Sequence, residues 1–381
     1  MLVRCINCGF PCQKYGKTSA GTQRWYCTAC HISFVNKIDN TTKQLKEFLT
    51  WLFSNTTQQE LPGKGRTFRR NTAKFWDIWP MPPKVEERRD IVFVDGIYLA
   101  RKACVLICYD GTHVLGWYVC RYEYARAWEA LLRRITSPTV VISDGGPGFR
   151  KAMRKVWPST KLQRCTFHAF CQVRRYTTTR PKTLAGMVLY QLAKDLMHIH
   201  NDEEARAWIL RLSQWEITFK DFLNEMTKDD QGNTRPTHER LLKGYYSLVR
   251  LVTTKTLFTY LDEKVVPSHP CPATNNPIEG GVNAQLRALI RNHRGLSIDR
   301  RIKAVFWWCY MHSPKPLSAT EILKVMPTDT SISKIYKNMN EKKQLEGILP
   351  TWGMPLFGAI CITMTNPSRQ IGTKRPTHFV L

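Results

Sequence analysis

Two short stretches, IVFVDG at residues 91–96 and TVVISDGG at residues 139–146, decide the fold of this chain. Each is an apolar run that ends in an aspartate followed by glycine, a pattern that predicts a buried strand leaving the sheet at its last residue. One Asp-Gly pair predicts only a turn. Two such strands in one chain predict that Asp95 and Asp144 stand at neighbouring strand ends, where their carboxylates can meet.

The segments around these stretches alternate between strand and helix patterns. DIVFVD, KACVLICYD and HVLGWYVC predict three strands, and Asp110-Gly111 predicts a hairpin turn between the second and third. A helix YARAWEALLRRI, the strand that ends at Asp144, a helix GFRKAMRKVW and a short strand KLQRC follow. This order is the layout of an RNase H-like α/β core, in which the strands of Asp95 and Asp144 are neighbours. Asp110 is expected to be a turn residue only.

A third acid, Glu279 in NNPIEGG, lies where a helix is predicted to begin. Asn276, Pro277 and Glu279 also fit the N-cap, N1 and N3 positions, so a plain capping-box role remains open. The helix carries two stripes, and Glu279 lies between them. The apolar stripe is Val282, Leu286, Leu289 and His293, and the polar stripe is Asn283, Arg287, Arg291 and Arg294. A carboxylate on this seam could reach a metal ion while the polar stripe binds DNA phosphates.

Three carboxylates in a basic chain are typical of metal-assisted phosphoryl transfer. In-line attack on a phosphodiester builds negative charge on the entering and leaving oxygens, and two hard cations ~4 Å apart stabilise both. Asp95, Asp144 and Glu279 would offset most of the cations' charge and leave positions for water and substrate, which suits two Mg²⁺ ions, or Mn²⁺. The nucleophile would be water for nicking and a 3′-hydroxyl for joining.

The composition predicts a globular protein with a polyanionic partner. The chain has 381 residues, 43% of them hydrophobic, and 57 Lys plus Arg against 30 Asp plus Glu give a formal charge of +27. Such an excess suits binding to phosphates. The thirteen cysteines are an odd number and the first residues form no apolar signal stretch, so we expect a reducing cytoplasmic, nucleoid-associated location. The apolar runs fall short of ~18 residues, so no membrane segment is expected.

Residues 1–38 predict a zinc ribbon. The cysteines form two CxxC pairs with 18 residues between them, a spacing that suits a tetrahedral four-sulfur site for one structural zinc. The predicted ligands are Cys5, Cys8, Cys27 and Cys30. A module of this size cannot fold on its own core, so the metal would supply roughly 10 kcal/mol or more. Four buried cysteines without metal are the alternative, and Cys12 lies outside the pattern.

Residues 41–80 predict a helix-turn-helix. An apolar stripe in the first helix is followed by a polar segment and a second helix, which Thr67 is expected to cap. Arg66, Arg70 and Lys74 repeat every fourth residue of this second helix. A basic helix face of this kind can lie along a DNA groove, although such faces are often only solvated. A proline-rich stretch, WPMPPK, then marks a domain boundary.

The remaining boundaries follow from the same patterns. Residues 90–168 and 270–313 are expected to form the catalytic core, and residues 169–269, which have helical patterns and no convincing strand, an all-helical insertion. Residues 314–381 form a basic C-terminal tail in which Ser318 and Glu321 have capping-box spacing before a short helix.

Together these motifs resemble the bacterial insertion-sequence DDE transposases of the Mutator-related superfamily, over about residues 1–313. Besides the acids, the resemblance rests on RCTFH, where Cys165 and His168 form a CxxH, and on NNPIEGGVNAQLRALIRNHRGLS, which is similar to the family's glutamate helix. The resemblance implies that the three acids form the catalytic triad and that Cys165 and His168 lie near the active site. It also implies that the two N-terminal modules recognise the terminal inverted repeats of the element.

The predicted function is therefore a DNA transposase that cleaves and joins strands at the ends of an insertion sequence. A domesticated, non-catalytic DNA-binding regulator and an RNase H-like nuclease are the alternatives. A regulator has no need of three acids, and a nuclease does not explain two DNA-recognition modules ahead of the core. The expected partners are double-stranded DNA of the element ends and the target, and a second copy of the chain, because transposition usually pairs two ends.

Overall fold

The structure of the chain is a computed structural model, and it describes residues 2–35, 39–228, 230–265 and 270–345. Parts of the predicted ribbon, insertion and tail, including all of residues 346–381, lie outside the described residues. Within the described ranges, no helix is both long enough and apolar enough to cross a membrane.

The chain divides into two compact units, and the first is Met1–Phe48. It contains a three-stranded antiparallel sheet with the strand order β1-β2-β3. The strands are β1 (Gln13–Lys17), β2 (Gln23–Tyr26) and β3 (Ser33–Val35). The buried cluster of this unit consists of three cysteines, against which rings such as Trp25 and Phe34 pack. Its core is therefore built on sulfur more than on aliphatic side chains.

The region predicted as a helix-turn-helix contains two α-helices, α1 (Thr41–Leu52) and α2 (Arg66–Thr72), with 3-10 turns between them. The N-cap of α2 is Gly65, with a left-handed φ of 69°. A Cβ at Gly65 would lie 2.4 Å from the Gln58 carbonyl oxygen, so glycine is required there. The predicted cap at Thr67 is wrong, because the chain already turns into the helix one residue before Arg66.

The second unit, Leu49–Leu381, is built on a five-stranded mixed sheet with the strand order β6-β5-β4-β7-β8. The strands are β4 (Ile91–Leu99), β5 (Ala103–Tyr109), β6 (Val114–Cys120), β7 (Val140–Ser143) and β8 (Lys161–Arg164). The first three pair antiparallel, and β4-β7 and β7-β8 pair parallel. The predicted order of elements is thus observed, and β4 and β7 are neighbours.

Two amphipathic helices, α3 (Ala125–Leu132) and α4 (Pro147–Val156), cover one face of this sheet. Trp128 and Phe149 meet edge to face in that layer, with ring centroids 5.1 Å apart. The buried strand residues beneath them come from alternate positions of β4, β5 and β7, as one sheet face requires.

Residues 166 to 253 form mainly helices around a separate hydrophobic cluster. The elements are α5 (Thr166–Thr177), α6 (Leu184–Asp195), α7 (Asp202–Thr218), α8 (Lys220–Leu223), β9 (Met226–Lys228), β10 (Thr234–Pro236) and α9 (Glu239–Thr253). Two buried tryptophans in α7 donate their ring N–H to carbonyls of α6: Trp208 to Leu192 at 2.7 Å and Trp215 to Ala185 at 2.9 Å. These bonds allow the rings to be buried without unpaired donors.

Two predictions for this region need correction. The insertion is not all-helical, because β9 and β10 pair as an antiparallel hairpin. These strands are three residues long and mostly exposed, so their sequence shows no apolar alternation. The predicted division after residue 168 also falls inside α5, because β8 ends at Arg164 and Cys165 is already the N-cap of the helix that follows.

A π-helical turn, Pro277–Val282, leads into α10 (Asn283–Asn292), and α11 (Ile298–Met311) follows. The predicted apolar stripe of α10 is confirmed, since its four members are all buried. His293 closes the stripe, and its Nε2 lies 2.9 Å from the Leu52 carbonyl oxygen. On the opposite sheet face from α3 and α4, Trp117 meets Phe306 of α11 with ring centroids 6.0 Å apart.

The described part of the predicted tail packs onto the second unit through α12 (Ala319–Val325) and α13 (Asp329–Leu345). The capping box of Ser318 and Glu321 is confirmed at the start of α12. Lys303, 1% exposed in α11, donates to both carboxylate oxygens of Asp329 at 2.7 and 2.8 Å. The Trp79 ring N–H donates to the same carboxylate at 2.6 Å. This buried cation therefore links α13 to the sheet layer.

Candidate active site and metal centre

The sheet brings the two predicted aspartates together on neighbouring strands. The prediction that Asp95 ends its strand is wrong, because β4 continues past it to Leu99 in pairing with β5, whereas Asp144 directly follows the last residue of β7. Phe93 of β4 pairs with Ile142 of β7, so continuing the parallel register by two residues brings Asp95 level with Asp144. The Gly96 N–H donates to Asp95 Oδ1 at 2.9 Å, and the Gly146 N–H donates to Asp144 Oδ1 at 2.9 Å. Both carboxylates are therefore oriented by the backbone that directly follows them.

The carboxylate of Asp95 lies near other carboxylates. Burial, helped by repulsion from Asp144, Glu279 and Glu123, raises the pKa of its carboxyl to about 7, against the lowering effect of the Gly96 N–H. The Asn283 side chain donates to Asp95 Oδ2 at 2.6 Å. Three other carboxylates thus lie close enough to Asp95 to repel its charge, which is the arrangement expected where cations bind.

Glu279 comes from a distant part of the chain. It lies on the π-helical turn, where Asn276 has helical backbone angles and makes no capping hydrogen bond. The capping-box alternative for Glu279 is therefore wrong. Its Oε1 is buried and accepts no hydrogen bond among the described residues, although His168 Nδ1 lies 3.4 Å away. The two atoms are close enough for an ion pair but are not oriented for a hydrogen bond. This oxygen therefore remains available to a ligand.

Cys165 and His168 lie beside Glu279, and their ligand atoms all fall within 4.8 Å of one another. Cys165 Sγ is 3.4 Å from His168 Nδ1 and accepts the Asn275 N–H at 3.3 Å. Burial raises the pKa of the Cys165 thiol, which favours the neutral thiol over the thiolate that a metal ion prefers. The fully buried Asn275 also donates to the Val94 carbonyl at 3.0 Å, which ties the Glu279 turn to β4.

Glu123 is a fourth carboxylate that sequence reasoning missed. It precedes α3, where an acid is ordinarily explained by the helix dipole. A Cβ at Gly96 would lie 2.7 Å from Glu123 Oε1, and a Cβ at Gly148 would lie 2.2 Å from the Glu123 carbonyl oxygen. Burial, then Asp144, raise the pKa of Glu123 to about 7, and a hydrogen bond with Tyr98 lowers it. The lack of a side chain at Gly96 therefore leaves room for the Glu123 side chain, and only the fold reveals this contact.

The predicted DNA-contact residues divide into exposed and buried ones. The exposed ones are Arg66, Arg70, Lys74, Arg287, Arg291 and Arg294. Asn283 is fully buried and holds Asp95, so the structure places it away from the exposed face that the sequence assigned to it. Lys74 lies in a 3-10 turn after α2, and Arg294 lies beyond the end of α10, so neither stripe is one continuous helical face. Asp110 accepts the Thr112 and His113 N–H groups, as a turn residue does.

The first unit brings its four predicted cysteine ligands together. All four sulfur atoms lie within 4.8 Å of one another, for example Cys8 to Cys30 at 3.1 Å and Cys5 to Cys30 at 3.4 Å. The Cys30 backbone N–H lowers the pKa of the Cys27 thiol to about 6, which favours a metal-binding thiolate. Cys12 is outside the group, and burial raises the pKa of its thiol to about 11. The cluster can hold a zinc ion.

Comparison with known proteins tests the resemblance that the sequence motifs predict. Residues 90–234 match the family described as "Transposase, Mutator family", a segment that contains Asp95, Asp144 and the CxxH but ends before Glu279. The chain is 35% identical over 122 residues to the transposase for insertion sequence element IS6120 of Mycolicibacterium smegmatis, covering 28% of this chain and 38% of that protein. It is 20% identical over 208 residues to the transposase for insertion sequence element IS905 of Lactococcus lactis subsp. lactis (strain IL1403), covering 50% and 51%.

The chain thus spans about half or less of the length of these two relatives. The matched segment coincides with the mixed sheet, α3 to α8 and the β9 strand. The resemblance predicted from the motifs is thereby confirmed: this chain is similar to bacterial insertion-sequence transposases of the Mutator family.

Proposed function

We propose that the chain is a DNA transposase that binds the terminal inverted repeats of an insertion sequence and catalyses metal-dependent strand cleavage and strand transfer. Asp95, Asp144 and Glu279 are the proposed catalytic acids, and the β4 to β8 sheet with its helices is the proposed RNase H-like core. The observation that carries the proposal is geometric: the parallel register of β4 and β7 brings Asp95 level with Asp144, and Asn275 ties the remote turn of Glu279 to β4 beside Asp95. The match to transposases supports the same activity.

The donor set fits Mg²⁺ or Mn²⁺. The nearby acids supply oxygen atoms only, and Glu279 Oε1 is buried with no hydrogen bond. Close carboxylates repel one another unless cations offset their charge, so ions at Asp95, Asp144 and Glu279 would stabilise the site. When bound, the two cations would stabilise negative charge on the attacking and leaving oxygens of the phosphodiester.

The residues around the acids hold them in place for this chemistry. Asn283 and the Gly96 N–H each donate to one oxygen of Asp95, which fixes the plane of its carboxylate. Asn275 links β4 to the turn that carries Glu279. His168 lies against Glu279, and we propose that it and Cys165 order this side of the site rather than bind metal themselves.

The other modules would recognise DNA. We propose that Cys5, Cys8, Cys27 and Cys30 bind one structural zinc in a ribbon, and that the ribbon and the α1 to α2 region contact the terminal repeats. The proposed phosphate contacts are the exposed side chains Arg66, Arg70, Lys74, Arg287, Arg291 and Arg294. The chain would act as a homo-oligomer, because joining two element ends needs two active sites.

The test uses purified full-length protein, Mg²⁺ and a labelled DNA fragment that carries an element end. Wild type is compared with Asp144→Asn and with the matched control Asp110→Asn. Both substitutions change an aspartate that precedes glycine, but Asp110 lies in a turn. We expect strand cleavage and joining from wild type and from Asp110→Asn, and neither reaction from Asp144→Asn.

Two results would contradict the proposal. Cleavage without joining would indicate a nuclease on the same core. DNA binding with no reaction in wild type, in Mg²⁺ or Mn²⁺, would indicate a non-catalytic regulator.

A further inference from the structure

A deep cleft begins beside the acid site. It has a volume of about 780 Å³, and its lining starts at Gly145, the residue that follows Asp144. One wall comes from α4 and β8 of the sheet layer, and the other from α5 and α9 of the helical region. Both walls carry basic residues: Arg150, Arg154, Lys161 and Arg164 on the first, and Lys243, Arg250 and Lys255 on or next to α9. We call this the basic cleft, and no motif in the sequence had indicated it.

Arg164 is the buried cation of the basic cleft. The residue is 8% exposed, and its Nη1 has no hydrogen-bond acceptor among the described residues. Its Nη2 donates to Gln172 Oε1 at a long 3.5 Å. A Cβ at Gly145 would lie 2.6 to 2.7 Å from the guanidinium, so this group packs directly on the backbone next to Asp144. A buried guanidinium N–H without an acceptor is costly, and an anionic oxygen would satisfy it.

A second unpaired donor lies on the same wall. The Arg150 Nε is buried and has no acceptor within the described part of the chain. Burial lowers the pKa of Arg150, and repulsion from Arg250 and Arg154 lowers it further. Arg250 belongs to α9 and the other two belong to α4, so both walls direct positive charge at the same space. The acidic lining residue, Glu239, already pairs with Lys243 at 2.6 Å.

We propose that the basic cleft binds the sugar–phosphate backbone of a DNA strand that continues from the acid site. Repeated phosphates would offset the converging arginines and accept hydrogen bonds from Arg164 and Arg150. A single small anion would neutralise only part of a cleft with basic groups along both walls. Tyr246, 55% exposed on α9, and Tyr176 on α5 add rings that can pack against sugars or bases. The identity of the polymer as DNA rests on the proposed function.

The position of the cleft explains why DNA would be held there. Gly145 belongs both to its lining and to the loop that carries Asp144. A strand whose scissile phosphate lies at the carboxylates would therefore pass directly onto Arg164. The helical region would then contribute one wall of the DNA path through α9.

The test measures DNA binding without chemistry. All proteins carry Asp144→Asn, and binding of a short labelled duplex is followed by fluorescence anisotropy at several salt concentrations, without added Mg²⁺. Arg154→Glu/Arg250→Glu changes one exposed residue on each wall. The matched control, Arg206→Glu/Lys220→Glu, makes the same change of charge at exposed helix positions outside the cleft lining.

We expect the cleft pair to weaken binding by at least ~10-fold and to reduce the salt slope by about 2, whereas the control pair changes affinity by less than ~2-fold. Equal losses in both pairs, or no loss in the cleft pair, would overturn the proposal. Thermal melting checks that each protein is folded, and Arg154→Gln/Arg250→Gln replaces the charge-reversed pair if that pair does not fold.

A second measurement locates the DNA. Iodouracil-substituted DNA is cross-linked by light to the Asp144→Asn protein, and the modified peptides are identified by mass spectrometry. Cross-links on α9 near Tyr246 or on α5 near Tyr176 support the proposal, and cross-links confined to other elements contradict it. Because neither measurement involves cleavage, a chain that fails to cut or join DNA could still bind it in the cleft, and the two proposals fail separately.

Discussion

The cysteine cluster and the acid site both gather side chains that can bind cations, but they relate to the fold in opposite ways. The four cysteines come from two CxxC pairs in the first unit, and two of them, Cys5 and Cys27, form that unit's buried cluster together with Cys12. The acids come from the middle of β4, the end of β7 and a turn after the helical region, and they lie on a sheet with its own apolar core. The folding of the first unit is therefore expected to depend on its metal site, whereas the acid site is assembled on a sheet that has its own core.

This difference predicts what each site loses when its ligands are removed. Without metal, the first unit keeps few apolar contacts to hold its strands together. Without its carboxylates, the sheet keeps every layer of its core, and the repulsion around Asp95 decreases. Removing the cysteine ligands should therefore unfold the first unit, whereas removing the acids should abolish the chemistry and leave the fold intact.

The largest expected effect is on the folding of the first unit. Cys27→Ser, or removal of zinc by a chelator, should unfold residues 1–48, because structural zinc contributes about 10 kcal/mol or more to such modules. Metal analysis should find one zinc per chain in wild type. Backbone NMR or limited proteolysis should show the loss confined to the first unit. Cys12→Ser, at a buried cysteine outside the cluster, is the control and should retain the zinc. If the first unit stayed folded without metal, the proposed difference between the cysteine cluster and the acid site would be wrong.

The next effect concerns chemistry without loss of structure. Asp144→Asn should lower the rate of strand cleavage by ~10³-fold or more, about 4 kcal/mol, because a ligand of the catalytic cations is lost. Its thermal melting should stay close to that of wild type, because the repulsion from Asp95 and Glu123 that is removed is offset by the lost attraction to Arg164. Asp110→Asn should retain the cleavage rate. Marked unfolding of Asp144→Asn would show that the acid site also supports its own fold.

A smaller loss is expected at Asn283, which orients Asp95. Asn283→Ala removes the 2.6 Å hydrogen bond to Oδ2, and loss of such a supporting contact typically costs ~10- to 100-fold in metal affinity or activity. The measurement is the Mg²⁺ concentration needed for half-maximal cleavage. Asn292→Ala, an exposed residue at the end of the same helix, provides the comparison. An unchanged Mg²⁺ requirement would exclude a positioning role for Asn283.

The smallest effect is expected at Glu123. Glu123→Gln removes one negative charge near Asp144 and Asp95, worth about 1 kcal/mol at a partly solvated site, so the Mg²⁺ requirement should rise ~5-fold. Glu86→Gln, an exposed carboxylate paired with Lys84, should leave it unchanged. If Glu123→Gln leaves the requirement unchanged as well, the acid site consists of three carboxylates and not four.

Features that depend on neighbours in sequence were predicted well. Helix periodicity identified the buried stripe of α10, and the Ser318 to Glu321 spacing identified the capping box of α12. Cysteine spacing identified the four clustered sulfurs. Each of these patterns lies within a few turns or one short hairpin, where chain geometry leaves little choice. The errors also had local causes: Gly65 displaced Thr67 as the cap of α2, and the β9 to β10 hairpin was too short and polar to predict.

By itself, the sequence determined the order of strands and helices, the placing of Asp95 and Asp144 on or directly after apolar strands and the closeness of the cysteines, because strand and helix periods and short ligand spacings act within a few residues. Only the tertiary structure decided that Glu123 joins the acids, that Asn283 faces Asp95 and not solvent, and that Arg164 and Arg250 line one cleft. These are contacts between elements far apart in the chain. The direction of each side chain there depends on how helices pack on the sheet, which no local pattern records.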